Sequence, residues 1–174
     1  MSTQLVALRC PNCKTALSAQ SEQRLFLCAK CPTAVEATKE GLVSYPALFA
    51  EGKGDYHLWW RFEAEVAITK FSATQPAATP YGTVDGEKTL LAVFLIPADE
   101  TSIHACYRSA LDAKQAPAAP RSDATVQGGE LSRSAAEQIA RQVFLTHVAQ
   151  ADGEVHCLDF TLRVKSTEVL VQSK

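Results

Sequence analysis

Apolar and polar residues alternate most clearly between His57 and Phe71. There Trp60, Phe62, Ala64, Val66 and Ile68 interleave with Arg61, Glu63, Glu65 and Ala67. A period of two sets one row of side chains in a core and the other towards water, so the stretch predicts a strand. Lys88 to Ile96 is a continuous apolar run of strand length that Pro97 stops, and it predicts a buried strand. From Val155 the alternation returns through Leu158, Phe160, Leu162 and Val164. Ser132 to Arg141 predicts a helix, with Ser132 or Ser134 as its cap and Glu137 near the first turn. Val143 to Val148 predicts a strand, and Asp152-Gly153 then makes a hairpin with the strand from Val155. Shorter strands are expected at Gln4 to Leu8, at Leu25 to Leu27, and from Ala34 to Tyr45 with Pro46 as the exit. Residues 72–87 predict a loop and 115–130, rich in Pro, Gly and Ala, a mobile insertion. Thr101 to Lys114 is ambiguous, with a helix the better fit.

Cysteine spacing adds the first chemistry. Cys10-Pro11-Asn12-Cys13 and Cys28-Ala29-Lys30-Cys31 are two CxxC pairs, 14 residues apart. A tight turn through each pair brings two sulfurs to one side of an ion, and a hairpin over Lys14 to Leu27 delivers the second pair. Four thiolates at tetrahedral corners suit one Zn2+ ion. They leave no open coordination position, so the ion is expected to be structural. Lys14 and Lys30 set positive charge beside the −2 of such a centre. The alternatives are two disulfides or a thioredoxin-like redox pair. Met1 to Leu8 lacks the layout of a secretory leader, which disfavours disulfides, and a redox site needs one CxxC at a strand–helix junction. Cys106 and Cys157 stand alone and read as small core residues. Pairing them with His104 and His156 as a second metal site has no local turn to support it.

Composition narrows the function classes. The chain has 174 residues, 47% apolar and 21% charged, with a net charge of −2. No apolar run is long enough for a membrane helix, and a strongly basic nucleic-acid coat protein is excluded. The charge is uneven: residues 1–50 carry five bases and three acids, and residues 51–100 carry four bases and eight acids. A phosphate-binding face would therefore lie away from the middle. Phosphate loops, nucleophile elbows and HExxH motifs are missing from the sequence, and the expectation is a protein that is not an enzyme.

Strand, ribbon, long strand, apolar strand, helix and closing hairpin is the order of a five-stranded Greek-key barrel of the OB type. The stretches Cys10-Pro-Asn-Cys13, Leu25-Phe-Leu-Cys28-Ala-Lys-Cys31, Tyr56 to Ile68, Ala92-Val93-Phe94 and Ser132 to Val164 carry a more particular likeness. Together they resemble the C-terminal zinc-ribbon OB-fold DNA-binding domain of the replication protein A large subunit, or a related telomere or repair OB protein. The resemblance implies a mainly β single domain over 1–174, with a zinc ribbon at 9–45 inserted after the first strand and one or two helices. It further implies binding of single-stranded DNA, or RNA, beside other protein subunits of a nuclear replication, repair or telomere complex. Phe94 matches the family's base-stacking phenylalanine. Trp60 is a second stacking candidate, and Arg61, Lys70, Arg108 and Lys14 are candidate phosphate partners. Of the adjacent Trp59 and Trp60, one is expected in the core and the other exposed. The acidic middle and modest pI favour a second function: a structural subunit whose barrel and ribbon dock other proteins without touching nucleic acid.

Overall fold

The computed structural model describes residues 8–18, 22–50, 55–73, 84–99, 126–152 and 155–173. Within these the protein is mainly β, with one helix and a sheet curled into a half-barrel. Its elements in chain order are β1 (Leu25–Leu27), β2 (Thr33–Thr38), β3 (Gly41–Phe49), β4 (Tyr56–Ala73), β5 (Val84–Pro97), β6 (Val126–Gln127), α1 (Arg133–Asp152) and β7 (Val155–Ser173). The sheet runs β1-β2-β3-β7-β4-β5, and β6 pairs with the start of β4.

β4 obeys its sequence. Tyr56, Leu58, Trp60, Phe62, Ala64, Val66 and Ile68 are buried on one face, where they join the main core. β4 lies between β5 and β7, antiparallel to both, and its pairing with β7 runs nearly end to end. Register shifts at Glu63/Ala64, Ile68/Lys70 and Ser72/Ala73 interrupt that ladder. Such irregularities bend a strand and raise its twist, which fits a sheet that curls. The expected loop at 72–87 is narrower than its composition suggested, because β4 extends to Ala73 and β5 begins at Val84.

Four further expectations are corrected. Val143 to Val148 is not a strand: α1 runs unbroken from Arg133 to Asp152. Ala136, Ile139, Ala140, Val143, Phe144 and Val148 all enter the core at helical spacing, and that periodicity outweighs the β-preference of Val-Phe-Leu. With the fourth barrel strand replaced by helix, the closing hairpin of the OB order is gone, and β7 follows α1 directly. The strand expected from Ala34 to Tyr45 is two strands, turning at Lys39-Glu40. Pro46 does not end the second of them. It sits opposite Thr33 at the limit of β2, and from Ala47 the strand changes partner, running parallel to β7 at Val169–Val171. A residue without an N–H fits where one ladder stops and another starts.

β5 is not buried throughout either. Its inner row ends in buried Phe94 and Ile96, but Leu91 is 83% and Val93 46% exposed on the opposite face. Of the expected mobile insertion, residues 115–125 lie outside the described residues. Val126 and Gln127 pair with Tyr56 and His57, and Gly129 bridges to Leu25. The expected first strand, apart from Leu8, and the whole of Thr101 to Lys114 also lie outside them.

Candidate metal centre

Two knuckles build the centre. In the first, the Cys10 amide donates to the Thr15 carbonyl at 2.8 Å and the Lys14 amide to the Cys10 carbonyl at 2.9 Å. That tight turn puts Lys14 in the left-handed region with φ of 63°. In the second, the Cys28 amide donates to the Thr33 carbonyl at 2.9 Å and the Thr33 amide to the Cys31 carbonyl at 2.7 Å. The Lys30 amide points at the Cys28 sulfur, 3.4 Å away. Beneath the knuckles Cys10, Leu17, Phe26, Cys28 and Val35 form a small core of their own.

The four Sγ atoms of Cys10, Cys13, Cys28 and Cys31 all lie within 4.8 Å of one another. Cys13–Cys28 is 3.4 Å, Cys13–Cys31 3.6 Å and Cys10–Cys31 3.7 Å. Zinc–thiolate bonds of about 2.3 Å at tetrahedral angles give edges of about 3.8 Å, so the cluster is compatible with a tetrahedral zinc site. All four are free thiols, not disulfides. Hydrogen bonding to Thr15, through side chain and backbone, and to the neighbouring sulfurs holds the Cys13 thiol down at about 6. At Cys31 the Thr33 hydroxyl acts in the same lowering direction, but burial and the sulfurs of Cys13, Cys28 and Cys10 outweigh it and push that thiol up to about 12. A divalent cation among the four crowded sulfurs would supply the positive charge that favours their thiolate forms. Asn12 Nδ2 reaches Cys31 Sγ at 3.9 Å and the Thr33 hydroxyl at 3.4 Å, tying the knuckles together. Among the described residues this is the one cluster of three or more metal-ligating groups. Cys157 stands apart on β7, and Cys106 lies outside the described residues.

Among the described residues, those expected to meet nucleic acid do not converge on one exposed face. Trp60 is fully enclosed, its Nε1 donating to the Leu131 carbonyl at 2.9 Å and its ring packed against Tyr45 and Phe62. Phe94 is 5% exposed. Neither ring offers a face to a base, because both sit on the inner row of the curled sheet. Trp59, on the outer row, is buried too, with Ala50, Leu95 and Leu170. Arg61 is bound to Glu168 and Glu63, and its hydrogen bond is the main reason the Glu63 carboxyl sits below its ordinary value. Lys70 is exposed at the far end of β4, and Lys14 is exposed on the first knuckle with Nζ donating to the Pro11 carbonyl at 2.9 Å. Arg108 lies outside the described residues.

The sequence reading missed Glu36, an acid buried in β2. Its one signal was a lone carboxylate within the β-forming run Thr33 to Thr38. One carboxylate oxygen accepts from the Tyr45 hydroxyl at 3.0 Å and the other from the Arg133 amide at 2.8 Å. Burial, followed by the charge of Glu36, pushes the Tyr45 hydroxyl up to about 12. No helix among the described residues is long and apolar enough to cross a membrane. Comparison of the chain with protein-family models, with curated proteins and with solved structures gives no match.

Proposed function

We propose that the chain is a zinc-ribbon docking subunit: one structural Zn2+ on Cys10, Cys13, Cys28 and Cys31, and a half-barrel that binds other proteins rather than nucleic acid. The observation that carries it is the distribution of large apolar side chains. The rings a single-strand binder would stack on bases are in the core, while Leu91 and Val93 stand out on β5. Among the described residues β5 pairs on one side only, with β4. An exposed apolar edge strand accepts a strand from a partner through main-chain hydrogen bonds, with alternate side chains packing on its exposed row. In the second reading, single-strand binding in a replication or repair complex, Lys14 and Lys70 remain as exposed backbone contacts.

The readings separate in a titration with oligo-dT at about 50 mM salt, where phosphate contacts are strongest. Docking predicts no binding. Binding that weakens steeply with salt overturns it in favour of the second reading. Docking also predicts that a stoichiometric partner retained from source cells by the native chain is lost by the Leu91→Lys, Val93→Lys double variant. For the metal, elemental analysis is expected to give one zinc per chain and its loss in Cys28→Ser. A chain that carries no zinc, or a variant that keeps both zinc and fold, overturns the metal assignment.

A further inference from the structure

The first turn of α1 is held from outside the helix. Ser132 caps it in the usual way, its Oγ accepting from the Ala135 amide at 3.3 Å. No acidic residue stands in that turn to complement the helix dipole. The missing negative charge comes from Glu36, 97 positions earlier in the chain, which accepts the Arg133 amide. Glu36 is 4% exposed. Its other oxygen holds Tyr45, whose ring sits edge-on to Trp60 with centroids 5.1 Å apart. Three residues before Glu36, Thr33 touches the sulfur cluster, with its hydroxyl 3.3 Å from Cys31 Sγ and its backbone bonded to both Cys28 and Cys31. One short strand, β2, thus runs from the metal knuckle to the helix terminus.

We infer that metal occupancy of the ribbon and seating of the first turn of α1 form one linked equilibrium, with Glu36 as the positioning residue between them; this rests on the zinc reading above. Ion loss frees Cys28 and Cys31, loosens the start of β2, and withdraws the carboxylate from the Arg133 amide. The ribbon then acts as a metal-sensing element that releases a helix end of the half-barrel. Linkage makes the effect reciprocal: breaking the helix contact weakens metal binding by the factor by which metal removal loosens the helix.

The test uses the full chain and Zn2+ itself. In competition with a chromophoric chelator, Glu36→Ala is expected to bind Zn2+ about tenfold more weakly than the native chain, with all four cysteines intact. In hydrogen exchange, stripping the metal from the native chain is expected to speed the amides of Arg133 to Ala136 by about tenfold and those of Phe144 to Val148 far less. A native chain that takes up no Zn2+ refutes the zinc reading. A native chain that binds one Zn2+, exchanges α1 identically with and without it, and matches Glu36→Ala in affinity refutes the linkage alone. If Glu36→Ala does not fold, Tyr45→Phe removes one of the two holds on the same carboxylate. It is expected to weaken Zn2+ binding measurably but by less, and an unchanged affinity there also refutes the linkage.

Discussion

Lys14 shows how a single backbone angle is fixed by the Cys10–Cys13 turn. Its φ of 63° is a conformation that costs an L-residue roughly 1 kcal/mol and that glycine adopts freely. The turn must close there for Cys10 and Cys13 to face one point, so the strain is accepted at a ligand-bearing loop. Lys14→Gly is therefore expected to leave metal binding intact and raise stability by up to about 0.5–1 kcal/mol. Lys14→Val, branched at Cβ, is expected to lower it by about 1–2 kcal/mol. Chemical denaturation of the two metal-loaded variants checks both signs. At this scale the sequence was most legible where partners are neighbours: each CxxC is a local turn whose geometry follows from its spacing. Glu36 was illegible because its partner Arg133 is 97 positions away. The burial of Trp60 and Phe94 was not legible, because which row of a strand faces inward is settled by what packs on it, here α1 and the inner row of the sheet.

The elements meet at one close backbone crossing. Gly129 exchanges hydrogen bonds with Leu25, both at 2.9 Å, and its carbonyl also accepts the Arg24 amide at 2.7 Å. This joins the first ribbon strand to the segment leading into α1. A Cβ at Gly129 would lie 2.4 Å from the Ala98 Cβ and 3.1 Å from the Ala98 carbonyl oxygen. Neither atom belongs to a flexible side-chain end, so the segment must shift. Gly129→Ala is expected to destabilise the protein by about 1–3 kcal/mol, read as a lower melting temperature, and a neutral result would show that this crossing is slack. β4 and β7 declared themselves because a half-buried strand carries its own alternation. α1 was cut short because Val143-Phe144-Leu145 favours a strand locally, and the 136, 139, 140, 143, 144, 148 series emerges only over the full helix.

Taken whole, the molecule has cores of very different size. The ribbon core buries Cys10, Leu17, Phe26, Cys28 and Val35, too little apolar surface to hold a fold without cross-links. The main core joins β3, β4, β5 and β7, with Leu25 of β1 and Ala34 of β2, to the inner face of α1. Metal removal is therefore expected to unfold the knuckles while β4 and β7 keep their exchange protection. Alkylation of the four ribbon cysteines under native conditions, with most far-UV circular dichroism retained, is the measurement. A single cooperative loss of both would show that the half-barrel depends on the ion.

The parallel contact between Ala47–Phe49 and Val169–Val171 bears on the order of events during synthesis. Those partners are about 120 residues apart, and contacts of such span form late because closing the intervening loop is entropically costly. The ribbon, made from residues near one another in sequence, can assemble as soon as it leaves the ribosome. The end of β3 then waits unpaired, an apolar edge open to wrong partners, until β7 has been translated. Misfolding of this chain should thus be most acute in that interval, and slowing translation between Phe49 and Val169 should lengthen it.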